Sequence, residues 1–280
     1  MILPGTSGDS SSRPSRGSGS PSWAGTRLGR VDGDRVQPLA GSDVSAALGG
    51  SAPAEGGDPL PLEGLELLPP LVPGKIIGIG LNYRDHAAET GAQLPTRPLL
   101  FAKLPTSVAG PSADIVVPSY TDELDYEGEL AVVIGRRARD VPEADALGHV
   151  FGYAVMDDVS ARDRQREEPQ WIRAKGGDTM APWGPWITTA EEVPDPQALR
   201  IRTWVNDHLR QDGTTADMVF GVAALIAFCS ASFTLEPGDV ITTGTPAGVG
   251  VARDPKAFLR PGDRVRVEID RLGVLDNPVR

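Results

Sequence analysis

Asp122-Glu-Leu-Asp-Tyr-Glu-Gly-Glu-Leu-Ala-Val-Val-Ile134 is the stretch on which the fold turns. Its second half, 130–134, is an uninterrupted apolar run of the length and composition of a buried strand. Successive side chains of a strand point to opposite faces. Glu127 and Glu129 therefore share a face, with Gly128 between them and Cα atoms roughly 6.5–7 Å apart. Both carboxylates can reach one cation from there. Two unpaired carboxylates at the edge of a core repel each other and lose solvation, and a bound cation removes both penalties. The same spacing also suits a solvated strand face.

A second buried strand, Val150-Phe-Gly-Tyr-Ala-Val-Met156, runs into Asp157-Asp158. An acid at that strand end, next to the glutamate pair, would complete a three-carboxylate site. All-oxygen ligation points to a hard ion, Mg2+ or Mn2+, with Ca2+ as a third candidate.

Around these two strands the chain reads as mostly β. Further strands are expected at 75–80, 186–189, 199–205, 239–243 and 264–269, and the clearest helix at 215–228, with a short helical or lid-like segment at 83–90. Residues 26–39 read as strand, Asp-Gly turn and strand, followed by a short helix at 43–48 and a Gly/Ala/Pro-rich loop at 49–60. Residues 1–22 are Ser, Gly, Pro and Arg with almost nothing to bury, and are expected to be a disordered tail. The organisation expected is thus a tail (1–22), a small N-terminal β module with linker (23–70) and a main domain (71–280).

Composition agrees. Gly (33) and Pro (26) are abundant among the 280 residues, which favours short strands and turns over long helices. The net charge of −11 disfavours nucleic-acid binding, which needs a basic surface. A lone cysteine, Cys229, excludes a disulfide framework and a cysteine-based zinc cluster. The longest apolar stretch, 221–229, is too short for a membrane span. The tail has Arg13 and Arg16 but no apolar segment of the kind a secretory signal needs, and a cytoplasmic location is expected.

Three further places carry chemistry. In Asn82-Tyr-Arg-Asp-His-Ala-Ala-Glu89, His86 and Glu89 would be i,i+3 neighbours on a helix. A carboxylate there orients an imidazole and sets its tautomer, as a general base requires, although a surface pair has the same spacing. Lys175 precedes two glycines that would let it approach a ligand closely; a solvated lysine fits equally. Thr242-Thr-Gly-Thr-Pro-Ala-Gly-Val-Gly250 lacks the Lys-Ser/Thr of a phosphate loop. It could instead offer backbone N–H groups and the Thr245 hydroxyl to an anion. Gly78-Ile-Gly80 lacks the third glycine of a dinucleotide fingerprint.

Taken in order, these blocks resemble the fumarylacetoacetate hydrolase family, in its bacterial acylpyruvate hydrolase and 2-hydroxyhepta-2,4-diene-1,7-dioate isomerase type. The matching text is Gly80-Leu-Asn-Tyr-Arg-Asp-His-Ala-Ala-Glu89, Asp125-Tyr-Glu-Gly-Glu129, Gly152-Tyr-Ala-Val-Met-Asp-Asp158-Val-Ser-Ala-Arg162-Asp-Arg-Gln165, Lys175 with Asp178, and Thr243-Gly-Thr-Pro-Ala-Gly-Val-Gly250. The resemblance implies a mainly β (α+β) fold, a mixed β-sandwich roll with a small N-terminal β module. It implies a homodimer that binds Mg2+ or Mn2+ and acts on a 2-oxo or β-diketo acid. By the same resemblance Glu127, Glu129 and Asp158 are the metal ligands. His86, Glu89 and Lys175 are catalytic; Arg162, Gln165 and Thr245 bind substrate. The implied reaction is hydrolysis of a C–C bond through a stabilised enolate. The alternatives on the same platform are decarboxylation, tautomerisation and diene-dioate isomerisation. Gly176 and Gly177 depart from the family, where Ser or Phe often follows the lysine.

Overall fold

The computed structural model describes residues 2–4, 26–41, 44–48 and 53–280. Its centre is a seven-stranded mixed sheet in the order Leu99–Lys103, Ile76–Gly80, Val240–Thr242, Gly128–Ile134, Val150–Asp157, Ala181–Thr189 and Val108–Ala109. Gly128–Ile134 lies in the middle and is buried at every position. One of its faces presents Leu130, Val132 and Ile134 to a core shared with Ile201, Val205, Val265, Val267 and Ile269. The other presents Ala131 and Val133 to a core shared with Leu28, Val44, Leu48 and Trp183. Burial on both faces is why this strand reads as a continuous apolar run rather than an alternation.

The first of those partners is a four-stranded antiparallel sheet in the order His208–Thr214, Arg200–Val205, Arg264–Ile269 and Gly273–Pro278. The second is the N-terminal sheet Ile2–Pro4, Thr26–Asp32, Arg35–Leu39 and Leu60–Pro61, with the helix Ser45–Leu48 beside it. The fold is mainly β with a curled mixed sheet, as expected.

The expected strands at 75–80, 150–156, 199–205, 239–243 and 264–269 form within a residue or two of those bounds. Three expectations need correction. The helix expected at 215–228 runs from Val222 to Ser232, preceded by a separate 3-10 turn, Thr215–Asp217. Gln197 decides its start, because its Oε1 accepts the Val222 N–H at 2.8 Å while its Nε2 donates to Thr215 O. The strand at 186–189 begins at Ala181, since Ala181 and Pro182 pair with Val108 and Ala109 on one side and Trp183 with Met156 on the other. Finally, Ile2–Pro4 is a strand paired with 26–28 and not part of a disordered tail. The Thr26–Asp32 edge offers unpaired backbone groups, and these few residues supply the partners. The rest of the expected tail, 1 and 5–22, position 43 of the expected helix and 49–52 of the expected loop lie outside the described residues. Among the described residues no helix is long and apolar enough to cross a membrane.

Candidate active site

Gly128 begins the positioning of the site. A Cβ there would lie 2.4 Å from Thr203 Oγ1 and 2.9 Å from Val267 Cγ1, so only glycine lets the two sheets close. Its neighbours Glu127 and Glu129 then project together from the opposite face. On the adjacent antiparallel strand Asp157 pairs with Gly128, and the Asp158 N–H donates to Glu127 O at 2.8 Å. This register sends the two aspartates different ways. Asp158 joins the glutamates, and the three carboxylates have oxygens within 4.8 Å of one another, all buried. Asp157 turns back to accept the Glu127 N–H at 2.9 Å.

Cations surround the acids unevenly. Lys175, last residue of the short helix Ile172–Lys175, places Nζ 2.7 Å from Glu127 Oε2 and 2.9 Å from Asp158 Oδ2. Arg162 braces Asp125 (2.8 Å) and Glu127 (2.6 Å), and donates to Gln165 Oε1 at 3.0 Å. Burial works to raise the Glu127 pKa, but Arg162 and Lys175 outweigh it and hold the carboxyl well below the usual range. Glu129 has no cation in contact. Burial, with repulsion from Asp158 and Glu127, pushes its pKa well up, and Thr242 Oγ1 and the Gly244 N–H donate to Oε2. In this buried cluster the five acids Asp125, Glu127, Glu129, Asp157 and Asp158 outnumber the three bases Lys103, Lys175 and Arg162. Three clustered carboxylates with that surplus fit a hard divalent cation, which Glu127, Glu129 and Asp158 could hold.

The expected base pair sits across the same cavity. The helix Arg84–Thr90 ends at Gly91, whose φ of 67° is the left-handed cap that glycine favours. His86 Nδ1 is 3.2 Å from Glu89 Oε2, and Glu89 Oε1 accepts the Gly248 N–H at 2.9 Å. With Nδ1 engaged, Nε2 is the nitrogen left for a ligand. Arg84 donates to Met218 O and Asp217 accepts the Asp85 N–H, so the helix is tied at its base.

The 242–250 turn works differently from the sequence expectation. Its N–H groups do not face an open anion site; they serve the protein's own carboxylates. Gly244 donates to Glu129, Gly248 to Glu89, and Gly250 to Asp125. The Thr245 hydroxyl donates to Gly128 O and accepts from Gln211 Nε2.

These groups line one cavity of about 280 Å3. All the candidate residues except Glu89 and Asp158 border it: His86, Glu127, Glu129, Arg162, Gln165, Lys175 and Thr245. The missing two stand directly behind His86 and Lys175.

A family model described as fumarylacetoacetate (FAA) hydrolase C-terminal matches residues 75–280. The chain belongs to the fumarylacetoacetate hydrolase family. It is 52% identical over 202 residues to a Burkholderia cenocepacia protein named only as a hydrolase, covering 71% of this chain and 72% of that one. It is 48% identical over 218 residues to a mitochondrial oxaloacetate tautomerase of Xenopus laevis, covering 77% of this chain and 68% of the relative. The solved fumarylacetoacetate hydrolase of Exiguobacterium antarcticum superposes with a TM-score of 0.84 at 37% identity, over 91% of this chain and 95% of that one. A 2-hydroxyhepta-2,4-diene-1,7-dioate isomerase from Mycobacterium marinum gives 0.77 at 36% identity, over 91% and 92%. Fumarylacetoacetate hydrolase relatives thus include hydrolases, isomerases and tautomerases, and this chain is an enzyme of that family.

Sequence reasoning missed two residues that shape this family site. Lys103, fully buried, donates to Asp158 Oδ1 at 2.5 Å, to Val159 O and to Lys175 O. Gln211 accepts the Gly128 N–H at 2.9 Å and donates to Thr245 and Pro246, clamping the backbone between the two glutamates. For Lys103 a signal existed, a lone lysine inside the apolar run Leu99-Leu-Phe-Ala-Lys-Leu104. For Gln211, in a polar hairpin strand, there was none.

Proposed function

We propose that this enzyme is a divalent-metal-dependent hydrolase that cleaves a C–C bond in an acylpyruvate or β-diketo acid. The observation that carries this reading is the meeting, in one cavity, of the His86–Glu89 pair with the Glu127–Glu129–Asp158 cluster and Lys175. Mg2+ or Mn2+ held by the three carboxylates, with Ca2+ a weaker fit, would supply Lewis-acid stabilisation of the enolate form of a 2-oxo acid. His86 Nε2 takes a proton from water, whose oxygen adds to the carbonyl distal to the pyruvyl end. Glu89 holds the Nδ1–H and so keeps the imidazole in the tautomer that accepts at Nε2. The C–C bond then breaks towards the pyruvyl carbon, and Lys175 stabilises and helps to protonate the resulting enolate. In the substrate-binding wall formed by Arg162, Gln165 and Thr245, Gln165 offers its amide N–H to a substrate oxygen, while Arg162 and Thr245, whose donors serve Asp125, Glu127 and Gly128 O, hold the wall in place. The same reading takes the protein as a cytoplasmic homodimer with a small-molecule substrate.

The similarity to an oxaloacetate tautomerase supports a second reading. If no water is admitted, His86 moves a proton between carbon and oxygen and the carbon skeleton stays whole. Loss of CO2 from the keto form of a 2-oxo acid with a β-carboxylate, the bonding pair passing into the keto group to give the enolate, would be decarboxylation. Mass spectrometry of products from a panel of acylpyruvates and 2-oxo acids with Mg2+ separates the three. Two acids from one substrate support the hydrolase; unchanged mass with proton exchange supports the tautomerase or isomerase; CO2 supports the decarboxylase.

A further inference from the structure

We infer that Leu99, Phe101 and Trp171 select a substrate whose end distal to the 2-oxo acid is uncharged and apolar. This rests on reading the cavity as a 2-oxo acid site and adds what lies at the other end of the substrate.

The cavity has two unlike halves. One is ionic, and its two permanent cations are both committed: Lys175 to Glu127 and Asp158, Arg162 to Asp125, Glu127 and Gln165. The other half is apolar, with the Phe101 and Trp171 rings 5.7 Å apart and tilted at 57°. Lys175 Nζ lies 5.0 Å from the Phe101 centroid, so this ring marks the boundary between the halves. A second carboxylate at the distal end would be buried against hydrocarbon with no free cation lining the cavity.

The apolar wall is seated by the glycines that the sequence left unexplained. Phe101 pairs with Gly78 and Leu99 with Gly80 across adjacent strands. A Cβ on Gly78 would fall 2.1 Å from Phe101 Cζ. One on Gly80 would fall 2.9 Å from Leu99 Cδ2 and 3.1 Å from Trp171 Cζ3. Gly78-Ile-Gly80 is therefore a pair of slots in which the wall lies flat. Trp171, Leu99 and Phe101 also border a second cavity of about 640 Å3, whose lining includes Ile77, Ile172 and Phe233. Trp171 stands between the two spaces and sets how long a tail the first one takes.

The test is calorimetric binding of matched 2-oxo acids to the full chain in the presence of Mn2+, read without turnover. 2-Oxopentanoate and 2-oxoglutarate share five carbons and differ in a terminal methyl or carboxylate. The wild-type protein should bind 2-oxopentanoate at least about tenfold more tightly. Leu99→Lys, at a position 45% exposed and so tolerant of substitution, should bring the ratio to unity or reverse it. Trp171→Ala should raise the affinity for 2-oxooctanoate relative to 2-oxopentanoate. Equal or tighter wild-type binding of 2-oxoglutarate, or a ratio unmoved in Leu99→Lys, overturns the inference and leaves the 2-oxo acid reading standing. Failure of both acids to bind overturns that reading and the inference with it.

Discussion

Lys103 Nζ lies 2.5 Å from Asp158 Oδ1, and neither side chain has any exposure to solvent. The same ammonium reaches the carbonyl of Lys175, so one buried group fixes both the carboxylate and the end of the helix that delivers the second lysine. Burial lowers the Lys103 pKa, and Asp158 opposes that shift. Lys103→Met should therefore leave Asp158 with Lys175 as its remaining cation and cost up to about 3–5 kcal/mol. The double variant Lys103→Met/Asp158→Asn should recover most of that loss, because the charge is gone as well. Urea unfolding of the two singles and the double measures the coupling; additive losses would show that the pair does not interact.

Glu129→Gln should act in opposite directions on stability and on metal binding. Its carboxyl has no cationic partner, and its raised pKa means that its charge costs stability at neutral pH. In chelator the variant should melt higher than wild type, while Thr242 and Gly244 still find an acceptor oxygen. In titrations with Mg2+ or Mn2+ its affinity should fall at least about tenfold. Unchanged turnover of wild type after chelation would remove the metal from the proposed mechanism.

His86→Ala should lower kcat by about 10²–10⁴, the range for a positioned proton-transfer group. Glu89→Gln should cost less, since its single amide oxygen can still accept the His86 Nδ1–H, at the expense of the Gly248 N–H contact. The double variant should resemble His86→Ala, because the two side chains act as a unit. Metal content should match wild type in all three. Loss of metal in His86→Ala would make the histidine a ligand instead.

Asp157 should give stability a pH dependence of a recognisable sign. Burial raises its pKa from 3.8 to about 7, and one of its oxygens, Oδ2, has no hydrogen-bond partner. The folded state then holds a proton that the unfolded state releases. The resulting stabilisation is full below about pH 4 and is lost as pH rises to about 7. Asp157→Asn mimics the protonated form and keeps an acceptor for the Glu127 N–H. In chelator-treated protein its advantage over wild type should grow across that window, to at most about 4 kcal/mol. Parallel pH profiles for the two proteins would refute the shift.

Much of the site was legible because the relevant spacing is local. Glu127 and Glu129 share a face through the two-residue period of a strand, and His86 and Glu89 meet through the three-residue spacing of a helix. The four-residue helix that carries Lys175 had no readable signal, being too short for a periodic pattern. The roles of the 242–250 N–H groups were also out of reach, since their acceptors Glu89, Glu129 and Asp125 lie more than a hundred residues away.

By itself the sequence determined the strand-rich grammar, the doubly buried central strand and the facing glutamates. Each of these follows from backbone geometry within a few residues. The family resemblance named Asp158 rather than Asp157 as the acid that joins them, but the physical reason lies in the tertiary structure, where a shift of one residue in register sends a side chain to the other face. It alone brought Lys103, Arg162 and Gln211 to the cluster and laid Phe101 and Trp171 over the slots of Gly78 and Gly80. Those meetings depend on how two sheets pack and curl against each other, which the close packing of both faces settles and no local period encodes.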